Sequence, residues 1–302
     1  MFLAIYPGYT LTHNDLAYLC DNNGDKEIIR SSAGLKDKVA VKAREQKNEK
    51  YIISAIVSTY NSERFIHGCL EDLEAQTIAD RIEIIVVNSG SEQNEEAIVK
   101  AFQQKYSNIK YIKTDKRETV YAAWNRGIRA SSSGQYITNA NTDDLRRADA
   151  CERMAKALDA LPDIALVYAN LIITENENEI FDKCTPVGKY CWRDWNREYL
   201  LNGQCFMGPQ PMWKRTLHDE YGYFDETMVT SGDYEFWLRI SQTNNFSHIH
   251  DMLGLYLKSS NSIEHRNRKI QENENMQILS IYRNASADGS ILTAVLFAVE
   301  FI

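Results

Sequence analysis

Tyr51-Ile52-Ile53-Ser54-Ala55-Ile56-Val57-Ser58-Thr59-Tyr60-Asn61 is a short, nearly continuous apolar run that stops in polar residues. A run of this length, apolar at consecutive positions, has the pattern of a strand buried on both faces of a parallel sheet. Downstream, Phe65, Ile66, Cys69, Leu70 and Leu73 recur on one helical face, with Asn61 or Ser62 placed to cap the helix start. Ile82, Ile84, Ile85, Val86 and Val87 repeat the strand signal and end at Asn88-Ser89-Gly90-Ser91. The segment therefore reads as a strand-helix-strand unit.

The alternation continues. Helical patterns cover Glu95 to Tyr106, Thr119 to Ala130, and the face formed by Ala148, Cys151, Met154, Ala155 and Leu158; strand signals fall at Ile109 to Ile112, Gln135 to Ala140 and Ile164 to Ala169. This order predicts a mostly parallel sheet with helices on both faces, because parallel neighbours need crossovers and the crossovers cover the faces. Ligands of such sheets sit beyond the carboxyl ends of the strands. The polar residues that end these strands are the ones to weigh for chemistry.

Outside this region the pattern weakens. Asn22, Asn23, Gly24 and Asp25 are turn formers, and Lys36 to Lys50 reads as a solvated helix or tether. Lys183 to Tyr223 is dense in aromatic residues, and a strong helix signal follows from Asp233 to Ile240. Ile291 to Ile302 is apolar but too short to span a bilayer. The 302 residues allow one large domain or two modest ones. We expect an extension or linker at 1–50, a main domain at 51–258 and a helical extension at 259–302.

Composition narrows the function. Forty-two acidic against 34 basic side chains give a net charge of -8, which argues against nucleic acid as a partner. No stretch approaches the roughly 20 apolar residues of a membrane span, and no basic-then-apolar secretory signal opens the chain. A cytoplasmic location is expected. The six cysteines include no Cys-x-x-Cys pair, so plain thiols are expected rather than a disulfide framework or a cysteine zinc site.

Three polar clusters fall at strand ends or helix starts. Asn88-Ser89-Gly90-Ser91 brings a Gly turn and short side chains that can approach a base or ribose, or it is a simple turn. Asn139-Ala140-Asn141-Thr142-Asp143-Asp144 sets two carboxylates after a buried strand, where they can hold a hard divalent cation or cap a following helix. Ser231-Gly232-Asp233-Tyr234-Glu235 opens an amphipathic helix, where a carboxylate serves as general base or as N-cap. His248 and His250 share one face of a probable strand; without a third ligand that spacing reads as a surface or core pair.

The ordered set narrows these alternatives. Residues 54–61, Glu83 to Ser91, Ala123-Trp124-Asn125-Arg126-Gly127-Ile128, Gly134 to Ile137 and Thr142-Asp143-Asp144 together resemble the family 2 glycosyltransferases of GT-A fold. Tyr221-Gly222-Tyr223-Phe224-Asp225-Glu226 and Gly232 to Arg239 match that family's acceptor half, so the resemblance covers about Tyr51 to Tyr256. It implies an α/β GT-A fold: a Rossmann-like, mostly parallel sheet flanked by helices, with a nucleotide-sugar half at 51–145 and a less regular acceptor half at 146–258. It also implies a nucleotide-diphosphate sugar donor, a glycan or lipid-linked glycan acceptor, and inversion at the anomeric carbon. A lipid-linked acceptor would place the protein peripherally at the inner face of the membrane.

By position, the resemblance assigns Thr59, Tyr60, Asn61, Glu63, Asn88, Ser89, Gly90, Asn125, Asn141 and Thr142 to the donor pocket. It assigns Asp143 and Asp144 to Mg2+ or Mn2+, and Asp233 to the catalytic base. Asn stands where the family usually has Asp at 88 and 141, and an amide brings no charge to a cation. Arg126 or Arg129 can approach the diphosphate, and His265 matches a late metal or phosphate contact of some GT-A enzymes. Trp192 and Trp213 are candidates to stack on an acceptor sugar. A sugar-nucleotide pyrophosphorylase would want an early Gly-rich phosphate loop that the residues after Val57 lack. The alternative from another class is a non-catalytic sugar-nucleotide or glycan binding module.

Overall fold

The computed structural model describes residues 17–20, 26–29, 51–132, 134–259 and 267–287, with backbone alone at 17–20, 26–29 and 284–287. Lys36 to Lys50, His265 and Ile291 to Ile302 lie outside the described residues. The chain divides into two compact units, Met1–Glu49 and Lys50–Ile302. In the first, β1 (Ala17–Cys20) pairs antiparallel with β2 (Lys26–Ile29). These strands escape the sequence patterns because four residues are too few to establish a period.

The second unit is built on a nine-stranded sheet. β3 (Ile53–Thr59) pairs parallel with β4 (Ile82–Asn88) and with β6 (Tyr136–Asn139), and β4 pairs parallel with β5 (Ile109–Lys113). β10 (Met212–Lys214) inserts antiparallel between β6 and β8 (Ile164–Thr174), so those two point the same way. β11 (Asn245–Leu257) runs parallel to β8, while β7 (Leu145–Arg146) pairs antiparallel with β11 and β9 (Gly188–Tyr190) with β8. Thus β3, β4, β5, β6, β8 and β11 share one direction, as expected of a mostly parallel sheet. β10 was not legible beforehand; its three residues lie in the aromatic stretch that carries no clear period.

Strand alternation assigns the two faces. Ile53, Ala55 and Val57 of β3 meet Ile66, Leu70 and Leu73 of α1 (Glu63–Glu74), with α2 (Glu95–Gln103) and α4 (Ala150–Ala160) in the same cluster. Ile56, Ile85 and Val87 face the other way onto α3 (Val120–Ala130) and α7 (Gly232–Ser241). Thr119 caps α3 by accepting from Ala122 N at 3.2 Å. α8 (Arg268–Ala287) adds Ile278 and Tyr282 to this second cluster. Short helices α5 (Arg197–Leu201) and α6 (Leu217–Tyr221) complete the unit.

The second cluster contains a titrating element. His218 accepts from Trp213 Nε1 at 2.9 Å, bonds Gly222 O through Nδ1 at 3.1 Å, and stacks on Phe236 with ring centres 4.9 Å apart. Burial drives its pKa from 6.5 down to about 4. Between those values the unfolded chain binds a proton that the folded ring refuses. Unfolding free energy should therefore fall as pH drops from 6.5, by about 3 kcal/mol at pH 4. Denaturant titrations across this range should show the loss, and His218→Phe should flatten it.

Candidate active site

The carboxyl ends of β3 and β4 lie side by side, and side chains from the loops that follow them lock the two together. Ser62 is the N-cap residue of α1, and Asn61 precedes it with φ 50. Asn61 Oδ1 accepts from Ser91 Oγ at 3.1 Å and from Glu92 N at 3.2 Å, while Asn61 N donates to Ser91 Oγ at 3.1 Å. Beneath them, fully buried Glu95 accepts from Ser62 N at 2.8 Å and from Ser91 Oγ at 2.7 Å, with Thr59 Oγ1 at 3.5 Å. Glu63 joins the same seam, its N donating to Gln93 Oε1 at 3.1 Å.

Asn88 closes β4. Its Oδ1 accepts from Ser91 N at 2.9 Å, whereas the buried Nδ2 has no hydrogen-bond partner among the described residues. Ser89 Oγ accepts from Glu118 N at 2.5 Å. Gly90 has φ +65, and a Cβ there would lie 2.6 Å from Lys116 C. The turn and the close approach both require glycine. Arg117 lies over the Tyr60 ring, 4.3 Å from its centre. Tyr60, Asn61, Ser89 and Gly90 thus share one rim, with Arg117 as a cation there.

The second polar cluster does not open a helix. Asp143 and Asp144 lead into β7, and the N-cap residue of α4 is Asp149, so the capping reading is excluded. Thr142 and Asp144 are buried; Asp143 is half-buried. Asp144 Oδ1 accepts from Leu257 N at 3.2 Å and Oδ2 from Asn141 Nδ2 at 3.0 Å. Burial, then neighbouring Asp143, push Asp144 above the usual carboxylate range, and burial also raises Asp143. The Asp143 carboxylate takes no hydrogen bond from another described residue. That leaves Asp143 the freer carboxylate of the two, since each oxygen of Asp144 already accepts one bond within the loop.

Asp233 lies in the first turn of α7, whose N-cap residue is Ser231. It is therefore not the cap. Its Oδ1 accepts from Tyr121 Oη at 3.0 Å and from Tyr234 N at 2.9 Å. Burial, then the Asp233 charge, hold the Tyr121 pKa well above 10, so the phenol remains a donor. Tyr121 packs edge-on to Trp124, 5.4 Å between ring centres, and Trp124 Nε1 donates to Ser58 Oγ at 3.2 Å. A short chain of contacts thereby joins Asp233 to the end of β3. A Cβ on Gly232 would fall 2.8 Å from the Tyr121 ring, so this approach needs glycine.

The sequence itself agrees with this geometry: the family model for glycosyl transferase family 2 matches residues 54–222, more than half of the chain. The chain belongs to glycosyl transferase family 2. An uncharacterized glycosyltransferase of Methanocaldococcus jannaschii is 27% identical over 210 residues, covering 69% of this chain and 71% of that protein. The hyaluronan synthase of Pasteurella multocida is 25% identical over 209 residues, 67% of this chain but only 20% of the synthase. This chain therefore spans about a fifth of that relative's length. Staphylococcus aureus TarS 1-349 in complex with UDP superposes with a TM-score of 0.61 at 17% identity, covering 76% of this chain and 64% of TarS 1-349. A mannosyltransferase from Pyrobaculum calidifontis in complex with GDP-Man and Mn2+ gives 0.53 at 16% identity, covering 82% and 79%. Likeness at this identity fixes the fold, which is GT-A.

Several side chains of this glycosyltransferase stand elsewhere than expected. Trp213 is core: it is 1% exposed and meets Trp237 at 5.2 Å between ring centres, because β10 carries it into the sheet. It is not an acceptor platform. Trp192 remains partly exposed, stacked on Tyr190 at 4.9 Å. Asn125 is fully buried, donating to Phe224 O at 2.8 Å and Glu226 Oε1 at 3.0 Å while accepting from Phe224 N at 3.0 Å. It fastens α3 to the loop before α7. Arg126 pairs with Glu118 and Arg129 with Glu226. A cavity of about 450 Å³ between α1 and β7, lined by Arg64, Asp72, Arg146 and Asn178 among others, includes none of Thr59, Asn88, Asp143 or Asp233.

Sequence reasoning missed the support of Asp233. Glu274 of α8 accepts from Val229 N at 2.7 Å, Thr230 N at 3.0 Å, Thr230 Oγ1 at 2.6 Å and Ser231 N at 3.0 Å. Tyr282 Oη donates to Glu235 Oε1 at 2.6 Å, beside the buried Glu235–Arg239 pair. Burial pulls the Glu274 pKa upward, but its bonds to Thr230 and the loop backbone outweigh that and hold it below 4.5. Glu274→Gln should lower unfolding free energy by about 2 kcal/mol at pH 7. Charge on Glu274 favours the fold above pH 4.5, so the difference should shrink as pH falls through the lowered folded value. Urea titrations of both chains at pH 7 and under acid conditions measure this.

Proposed function

We propose that this chain transfers a sugar from a nucleotide-diphosphate sugar to an acceptor hydroxyl with inversion, in polysaccharide or glycan synthesis. The observation that carries the reading is that β3 and β6 pair parallel, so the half-buried Asp143 carboxylate that follows β6 and Asp233, tied through Tyr121 and Trp124 to the β3 end, both belong to the carboxyl edge of the sheet. Related structures with UDP and with GDP-Man and Mn2+ support a nucleotide donor, and hyaluronan synthase supports a glycan product.

The donor set at 143 fits Mg2+ or Mn2+, since hard cations favour carboxylate oxygen and are held by one or two carboxylates plus substrate phosphates. Asp143 would hold such a cation, whose charge would offset the negative charge growing on the leaving diphosphate. Asn141 holds Asp144 in place, and Asp144 in turn anchors the loop to β11. Thr59, Tyr60, Asn61, Asn88, Ser89 and Gly90 shape the nucleotide rim, and Arg117, over the Tyr60 ring, offers that rim a positive charge. Asp233, kept in register by the Tyr121 hydroxyl, takes the acceptor proton as the oxygen attacks the anomeric carbon.

Thermal stabilisation by a panel of nucleotide sugars, with and without Mn2+, tests donor binding through mass action. Stabilisation that needs Mn2+, joined to transfer or slow donor hydrolysis, is expected. Binding with no turnover under any divalent metal would favour the non-catalytic module.

A further inference from the structure

His248 and His250 gain a partner that the sequence did not reveal. Asp194, between β9 and α5, places Oδ1 3.0 Å from His248 Nδ1 and 3.3 Å from His250 Nε2. All three potential ligand atoms lie within 4.8 Å of one another. In a tetrahedral zinc site with bonds near 2.0 Å, ligand atoms stand about 3.3 Å apart. β11 shifts register between Ile249 and Met252, so His250 occupies a bulge, a device that re-aims side chains.

The hydrogen bonds around His248 assign its lone pair. Asn170 Oδ1 accepts from Trp192 N at 2.8 Å, and Asn170 Nδ2 donates to the His250 carbonyl at 2.6 Å, so the amide orientation is fixed. The atom facing His248 Nε2 at 2.8 Å is therefore an acceptor, and Nε2 carries the proton. In the neutral ring, Nδ1 then turns a lone pair toward a carboxylate oxygen. Two acceptors at that separation are drawn together by a cation placed between them. A ligating histidine characteristically gives its other ring N–H to an oxygen acceptor that fixes the tautomer, and the buried Asn170 amide oxygen is such an acceptor here.

We propose that Asp194, His248 and His250 bind a divalent transition-metal ion, best matched by Zn2+, that ties the segment holding Trp192 and Trp195 to β11. Two imidazoles and one carboxylate suit zinc, whereas magnesium prefers all-oxygen sites. The site is distinct from the cation at Asp143. His248 lies opposite Tyr168, and Leu257, which bonds Asp144, lies opposite Thr174. Those β8 positions are six residues apart, about 20 Å at 3.3 Å per residue. With Asp194 and His250 mostly exposed, solvent reaches the open coordination position.

Calorimetric titration of the untagged, chelator-treated full chain with ZnCl2 should show one equivalent bound, and Co2+ should give the visible absorption of a tetrahedral nitrogen and oxygen site. His250→Ala, at an exposed position, should weaken binding at least about 100-fold, the upper range for losing even an outer partner. Asp194→Asn should act in the same direction, and Asp143→Asn should leave the zinc stoichiometry unchanged. No stoichiometric uptake by the wild-type chain, equal affinity in His250→Ala, or loss of the zinc equivalent in Asp143→Asn would overturn the assignment.

Discussion

Asp233→Asn should lower kcat for sugar transfer by about a thousandfold, within the range for losing a general base. The substitution keeps shape and one acceptor oxygen, so the bonds from Tyr121 Oη and Tyr234 N can persist. What disappears is the ability to take a proton near neutral pH. Donor affinity, read by calorimetry, should be nearly unchanged, because the rim proposed for the nucleotide comes from the ends of β3 and β4. A variant that turns over within tenfold of wild type would remove Asp233 from the mechanism. Tyr121→Phe probes the same site more gently: it deletes the donor to Oδ1 while keeping the ring against Gly232, and should reduce kcat by a smaller factor.

Asp143→Asn should abolish the Mn2+ dependence of donor binding and lower turnover by a factor of about 100 to 1000, equivalent to a few kcal/mol of charge stabilisation. The neighbouring carboxylate supplies the control. Asp144 engages Leu257 N and Asn141 Nδ2, so Asp144→Asn sets one amide NH2 against another and should first appear as lost stability. Parallel measurement of Mn2+-dependent donor binding and thermal unfolding separates the two residues. If Asp143→Asn binds donor with undiminished metal dependence, the cation belongs elsewhere.

The sheet was legible because its central strands are continuous apolar runs ending in polar residues, as in Ile53 to Thr59 and Ile82 to Asn88. The lead residues at 143 and 233 were legible as strand-end and helix-start carboxylates, but their alternatives were not separable locally. Deciding against capping required knowing that residues 145 and 146 form a strand and that Ser231 occupies the cap position. Glu95 was hidden because a glutamate in a first helical turn has the composition of an ordinary solvated residue. Arg117 was readable in principle from the basic pair Lys116-Arg117 just after β5. Nothing short-range marks Glu274 as the acceptor for the loop at 229–231, and nothing links Asp194 to two histidines more than 50 positions away.

The bond between Glu274 and the loop before α7 also bears on where this enzyme can be divided. Family motifs end before residue 260, and a boundary drawn there would retain Asp143, Asp233 and the entire sheet. Such a shortened protein would lack the anchor for three successive amides ahead of Asp233, and the Tyr282 hydroxyl that bonds Glu235 beside Arg239. A chain ended near residue 258 should therefore unfold at lower urea than one that runs through Tyr282, and equal midpoints would show that α8 adds nothing to the unit that the motifs mark.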